Sequence, residues 1–275
     1  RVVSILTMET SGIFGTILGT AAKQIFVFMI FGSFLELSGA SEFFLKMTST
    51  MLGSLKGSGA KVNTMAGGLL GMVSGSAVAN VMAVGPMTFP MMKKDGFSKD
   101  FCGAIAAISG TGGQLMPPVM GTAAFIIAET LAVSYGEVTK AALIPGVLFY
   151  LTIWITINCH SNHLGLKERR EKADWIPVVK NGFYYLVLII FLIVTISVLK
   201  WSPIKAGLWS TVLVVAVSQF NKDNRMTLKI VIRAMENSAK GALTVSVACA
   251  VAGIIVGILS ITGLGLKFST VLLAL

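Results

Sequence analysis

The sequence predicts an all-α protein built into a membrane, and three observations predict it. Of its 275 residues, 55% are hydrophobic and only 12% are charged, against roughly 25% charged in soluble domains. Mean hydropathy is +0.83. The apolar runs are continuous rather than alternating, which points to helices and away from a barrel. The formal net charge of +10 would suit nucleic acid in a soluble protein. In a membrane protein, basic residues collect in cytoplasmic loops instead. The expected partner is therefore the lipid bilayer, with no nucleic acid. Cys102, Cys159 and Cys249 lie in or beside apolar runs and read as free core thiols. The chain opens at Arg1 with no signal-peptide pattern, and both ends read as cut.

Charge-free runs place the helices. The first covers 12–38 and is interrupted by Lys23. The later ordinary spans fall at 141–159, 183–199, 204–220 and 241–266. An amphipathic piece at 225–240 carries Leu228, Val231, Ile232 and Met235 at helical spacing.

Two runs are not ordinary. The run 62–92 divides into "VNTMAGGLLGMV", "SGSAVAN" and "VMAVGPMTFPMM". Each apolar half reaches about 18 Å as helix, too short for a hydrocarbon core of about 30 Å. The centre is small and polar, with Ser74, Gly75, Ser76 and Asn80. That pattern predicts a re-entrant hairpin with both ends on one side. The run 101–128 is long enough to span. Its middle, "SGTGGQLMPPVMG", nevertheless holds glycines and the pair Pro117 and Pro118, which break helices. A discontinuous helix is predicted there.

The basic residues test this topology. Let 62–92 return to its starting side and let the other runs cross. Every Lys and Arg from Lys46 to Lys99, from Lys167 to Lys180 and from Lys222 to Lys240 then falls on one side. Only Arg1, Lys140, Lys200, Lys205 and Lys267 fall on the other. The first side is therefore cytoplasmic. A short internal repeat adds to the picture: "SFLELSG" at 33–39 resembles "GILSITG" at 257–263. The two copies run in opposite directions in this topology, as inverted transporter repeats do.

Backbone broken at membrane depth must find partners or line a polar cavity. A hairpin tip and a broken helix together predict a binding site near the midplane. The oxygens on offer are neutral and hard: the hydroxyls of Ser74, Ser76 and Thr111, the amide oxygen of Asn80, and carbonyls around Gly110, Thr111 and Gly112. They suit Na⁺, with half-helix N-termini favouring an anion nearby. The break itself is expected to turn these carbonyls and Thr111 towards an ion at the tip. Neither break holds a carboxylate. The candidate ion and substrate residues are Ser74, Gly75, Ser76, Asn80, Ser109, Gly110, Thr111, Gly112, Gly113 and Gln114. No cofactor is expected beyond the coupling ion.

"SGSAVANV" followed by "GTGGQLMPPVMGTAAFIIAE" resembles the large membrane subunit of TRAP transporters, most of all the fused permease of the TAXI type. "FGSFLELSGASEFF" and "VAGIIVGILSITGLGLKFS" are similar to its flanking segments. The resemblance implies an elevator-type fold with inverted repeats and Na⁺-driven uptake of small organic anions in a bacterial or archaeal inner membrane. It also implies a periplasmic binding protein of TAXI type as partner, small-subunit-like helices upstream, and a second hairpin beyond residue 275. On that basis 1–61 is the entry helix and connector of the first repeat, and 62–92 is the hairpin. Residues 93–160 hold the discontinuous helix and the span after it. Residues 161–240 form scaffold or arm helices, and 241–275 begin the second repeat.

Other features carry less. Lys23, with Gln24 beside it, is either a substrate contact or a snorkelling lysine. Cys159, His160 and His163 sit close in sequence at a helix end without a second cluster, a poor metal site. "GTGGQL" lacks the Gly-Lys-Ser/Thr of a phosphate loop. An intramembrane enzyme would need a His or acid in a break to activate Ser74, and neither break has one. A carboxylate symporter that works without a binding protein is the nearer rival.

Overall fold

The computed structural model describes residues 12–168, 175–219 and 225–264, with Thr7, Lys267 and Thr270 besides. The described residues form helices and no strand. In chain order these are α1 (Thr16–Leu52), α2 (Ser58–Ser74), α3 (Ala77–Asp95), α4 (Lys99–Gly112), α5 (Thr122–Thr130), α6 (Tyr135–His163), α7 (Trp175–Ser197), α8 (Pro203–Ser218) and α9 (Leu228–Thr262). Three helical stretches are long and apolar enough to cross a membrane: Thr16–Leu52, Tyr135–His163 and Leu228–Leu259. The chain is thus an all-α, multi-pass membrane protein.

At 37 residues, α1 would be about 55 Å long if straight. It is not straight. Two π-helical turns interrupt it, at Ala21–Ile25 and Glu36–Ala40, and Gly39 turns left-handed at φ 93°. Only glycine adopts that φ without strain. The Ser38 hydroxyl donates to the Leu35 carbonyl at 2.7 Å. Gly263, which aligns with Gly39 in the two similar segments, is left-handed as well but lies at a helix end. It ends α9 at φ 62°, and the Thr262 hydroxyl donates to the Ile258 carbonyl at 2.8 Å, with a longer contact to the Leu259 carbonyl at 3.4 Å.

α2 and α3 form a helical hairpin whose turn is Gly75 and Ser76. Its open end is clasped. The Gly59 N–H donates to Asp95 Oδ2 at 2.7 Å, and the Ser58 hydroxyl at 3.4 Å. Both ends of the hairpin therefore lie together. The arms are longer than the 12-residue halves expected. They have 17 and 19 residues, about 25 and 28 Å of helix. The clasp draws Ser58 and Asp95 into the helices, and Lys61 is buried with its ammonium 5.3 Å from the Trp154 ring.

The loops sort into two ends. Gly57 packs on Ser161 and Phe97, and Gly96 faces Leu166, so the loops after α1, α3 and α6 meet at one end. The loops after α5 and α7 meet at the other, around a cavity of about 450 Å³ lined by Glu129, Lys140, Lys200 and Trp201. This is the loop sorting expected from the basic residues. Arg169, Arg170, Lys172 and Lys222 lie outside the described residues.

Two further differences from the sequence reading appear. The amphipathic piece and the last apolar run form one continuous helix, α9, of 35 residues, so position 240/241 falls inside a helix. Cys102 and Cys249 are buried, but Cys159 is exposed. It lies on the outer face of α6, where an apolar run gives lipid contact rather than core.

Candidate ion and substrate site

Small residues let the hairpin and α4 meet backbone to backbone. Gly67 and Gly71 on α2 face Ser109 and Gly113. A Cβ added at Gly113 would come within 2.5 Å of Gly71 Cα and 2.7 Å of Asn80 Nδ2. This is the small-xxx-small approach of membrane helices. Asn80, on α3, is 2% exposed and lies over the crossing. Its amide donates to the Gly67 carbonyl at 2.6 Å. Its Oδ1 is buried without a hydrogen-bond partner.

A second set of buried polar groups lies one turn deeper. Asn63 Nδ2 donates to Ser109 Oγ at 2.7 Å, and the Thr88 hydroxyl donates to Asn63 Oδ1 at 2.7 Å. The Tyr150 hydroxyl donates to the Ser109 carbonyl at 2.9 Å. Asn63, Thr88 and Ser109 are each no more than 2% exposed. Four helices, α2, α3, α4 and α6, are stitched together by these bonds.

The break in the spanning run lies later than expected. Ser109 to Gly112 remain α-helical at the end of α4, Gly113–Leu115 make a 3-10 turn, and the non-helical stretch is 116–121, a turn at 117–119 followed by Met120 at φ 61°. The helix runs on because Ser109, Gly110 and Gly112 are buried against the hairpin and α6, while Pro117 and Pro118 stop it. The Pro117–Pro118 peptide is cis. Much of the broken backbone is satisfied within the protein. Val119 N–H donates to the Met72 carbonyl at 3.1 Å and Gly121 N–H to the Gln114 carbonyl at 2.8 Å. The Tyr135 hydroxyl donates to the carbonyls of Pro118 and Val119.

The predicted residues therefore divide. Asn80, Gly113 and Gly110 come together at the crossing, with Gly110 against Val81 and the Ala77 carbonyl. Gly75, at φ 61°, packs on the Met120 carbonyl in the break. Ser76 caps α3 by accepting from Ala79 N–H at 3.3 Å, and Ser74 Oγ accepts from Ser76 N–H at 3.3 Å. Two residues do not join them. Thr111 is exposed and its hydroxyl donates to the Ala107 carbonyl at 2.9 Å, so the expectation that the break turns it towards the tip is corrected. Gln114 is exposed, its stem under Gly121.

Sequence reasoning missed Asn63, Thr88, Tyr150 and Glu36. Asn63 was legible as a second lone amide in a charge-free run. Glu36 comes from α1 to line a cavity of about 20 Å³ shared with Ser41, Leu70, Ser74 and Asn80, room for about one water-sized body. His160 stacks on Phe101 at 4.2 Å. Lys23 is exposed on the first π-helical turn of α1, and Gln24 lines the cavity at the far end.

Residues 4–275 match the family model of the tripartite ATP-independent periplasmic transporter, DctM component. The chain belongs to this family. Among relatives of this TRAP large component is the YgiK protein of Salmonella typhimurium, 29% identical over 60% of this chain and 38% of its own length. The C4-dicarboxylate TRAP transporter large permease protein DctM of Rhodobacter capsulatus is 28% identical over 77% of this chain and 51% of its own length. The isethionate TRAP transporter permease protein DctMQ of Oleidesulfovibrio alaskensis is 30% identical over 58% of this chain and 27% of its own length. The chain thus spans about half or less of the relatives it matches. Two of these three are named as transporter permeases, not enzymes, and none of the three names the TAXI type.

Proposed function

We propose that this chain is the part of a Na⁺-coupled, binding-protein-dependent importer of small organic anions that carries one of its ion sites. It works in the cytoplasmic membrane with a periplasmic binding protein of TAXI type. The observation that carries the reading is the orphaned Oδ1 of Asn80, held where the hairpin crosses the end of α4. A buried acceptor left without a partner costs about 1–3 kcal/mol. A hard monovalent cation would satisfy it. Ser74 and backbone oxygens near Gly110 and Thr111 would complete the neutral shell, and Glu36 would add a compensating charge from across the small cavity. Thr111 would serve through its backbone, since its hydroxyl is engaged within α4. Ser76 would hold the tip in shape.

The bonds among Asn63, Thr88, Ser109 and Tyr150 support movement of the hairpin, α4 and α6 as one body. In this reading the hairpin is re-entrant, α7 and α8 form the arm, and the body carries its ion across in an elevator step.

The test is uptake by the full-length transporter in liposomes across a sodium titration, with the binding protein in excess. Asn80→Ala is expected to raise the half-saturating Na⁺ concentration roughly 5- to 150-fold, which is 1–3 kcal/mol at 1.4 kcal/mol per decade. Ile153→Val, a buried trim outside this cavity, should leave it in place. An unmoved sodium curve for Asn80→Ala at equal protein level removes Asn80 from the ion shell. Undiminished uptake without any binding protein would favour the independent symporter.

A further inference from the structure

Val119, in the broken stretch between α4 and α5, is gripped on both sides. Its N–H donates to the Met72 carbonyl of the hairpin at 3.1 Å. Its carbonyl accepts from the Tyr135 hydroxyl, which also reaches the Pro118 carbonyl at 3.1 Å. One phenol proton thus forks between two carbonyls. Pro118 and Val119 are buried, and a buried carbonyl that loses its donor is costly. The ring that carries the hydroxyl has little freedom. Tyr135 is 4% exposed, stacks on Phe125 at 4.3 Å and lies 6.2 Å from Phe28 of α1. It is the first residue of α6, whose start is capped by Ser134.

The residue after Val119 is strained. Met120 sits at φ 61°, a left-handed backbone that a side chain disfavours and that persists only where the surroundings impose it. What they impose is a contact with the hairpin tip. The Met120 carbonyl lies so close to Gly75 that a Cβ there would come within 2.4 Å of its oxygen. Gly75 stands between Ser74 and Ser76, whose hydroxyls shape the turn. The contacts therefore run from the Tyr135 hydroxyl to Val119, through Met120 to Gly75, and so to Ser74. We infer that Tyr135 is a positioning residue for the ion site: it does not touch the ion, but clamps the break so that Met120 bears on the tip and fixes Ser74. This rests on the proposal that the tip and Asn80 hold Na⁺.

The experiment is a sodium titration of uptake by the full-length transporter in liposomes, with the binding protein in excess. Tyr135→Phe keeps the ring and removes the clamp. It should raise the half-saturating Na⁺ concentration roughly 3- to 10-fold, the worth of one hydrogen bond read as affinity, and leave the maximal rate in place. Thr139→Val is the structural control. It removes another buried hydroxyl of α6, one turn on, which donates to the Tyr135 carbonyl at 2.8 Å. It should lower the thermal midpoint without moving the sodium curve. Glycine accepts a left-handed backbone freely, so Met120→Gly added to Tyr135→Phe should return about half of the shift on a logarithmic scale. If Tyr135→Phe alone does not accumulate, the double variant compared with Met120→Gly should still show a shift of roughly two- to threefold. An unmoved curve for Tyr135→Phe beside a moved one for Asn80→Ala overturns the positioning role and leaves the ion site standing. Equal shifts for Tyr135→Phe and Thr139→Val, or no recovery with Met120→Gly, overturn it too, and reduce Tyr135 to a packing residue. An unmoved curve for Asn80→Ala as well removes the ion site, and the positioning role with it.

Discussion

The hairpin with α4 and α6, and the later helices α7 to α9, solve the same packing problem in different ways. The first group is joined by bonds between side chains of different helices: Asn63 to Ser109, Thr88 to Asn63, Ser58 to Asp95. In the second group most hydroxyls turn back on their own helix. Thr195 donates to Leu192, Thr211 to Gly207, and Ser238 to Ala234. Contact with α1 is made by glycine under a side chain, as Gly207 meets Val27 and Gly241 meets Met29. The Tyr185 hydroxyl on the Ser38 carbonyl and a longer Ser238 bond to Met29 are exceptions. Exposed apolar side chains do not separate the groups: Ile144 and Ile155 on α6 are as open as Leu208, Val212, Leu243 and Val247. Directional bonds fix one arrangement, whereas apolar contact tolerates sliding. The first group is held by bonds that fix its internal geometry, and the second mostly by contacts that do not.

The comparison breaks most easily at the glycines. Gly113→Ala places a methyl on the Gly71 backbone, which cannot give way as a side chain can. We expect more than about 2 kcal/mol of destabilisation and loss of uptake, read from thermal midpoints and transport of the full-length protein. Gly207→Ala meets the Val27 side chain at 2.8 Å, with no backbone atom nearer than 3.9 Å, and should cost less, about 1 kcal/mol. Equal losses at the two sites would erase the distinction.

A smaller effect sharpens it. Thr88→Val leaves Asn63 Oδ1 unpaired in the core, at about 1–3 kcal/mol, and Thr88→Ser should restore most of that. A double-mutant cycle between Asn63→Ala and Thr88→Val should give a coupling of about 0.6–1.7 kcal/mol, the range for hydrogen bonds between membrane helices. Tyr185→Phe, in the second group, should cost about 0.6 kcal/mol. No coupling between Asn63 and Thr88 would mean that the first group is held by shape alone. The smallest effect is expected at Gly19, where an added Cβ meets nothing within 4 Å. Gly19→Ala should be neutral, or more stable by up to about 1 kcal/mol through helix propensity.

The hairpin turn and the interrupted helix were legible because they oppose local preference. Polar residues inside "SGSAVAN" and two prolines inside an apolar run leave few alternatives. The register of the break was not legible. Glycines at 110, 112 and 113 read as breakers, but close packing against Ala77, Tyr150 and Gly71 keeps them helical or in a 3-10 turn up to the prolines. The partners of Asn63 lie 25 and 46 residues away, beyond any local periodicity. Glu36 is a single acid inside the first apolar run, and its place beside the hairpin, in the cavity with Leu70 and Asn80, rests on packing that a charge count does not reveal.

The two corners at Gly39 and Gly263 have one more consequence. Each is drawn from five or six residues: a left-handed glycine, the hydroxyl before it, and a carbonyl of the preceding turn, Leu35 for Ser38 and Ile258 for Thr262. None of the three needs a neighbour from elsewhere in the chain to define the bend. Such a corner is a portable part. It turns the backbone left-handed wherever it is set, inside a helix as at Gly39 or at a helix end as at Gly263. Around it, the surrounding sequence is free to diverge until little else of the copy can be read.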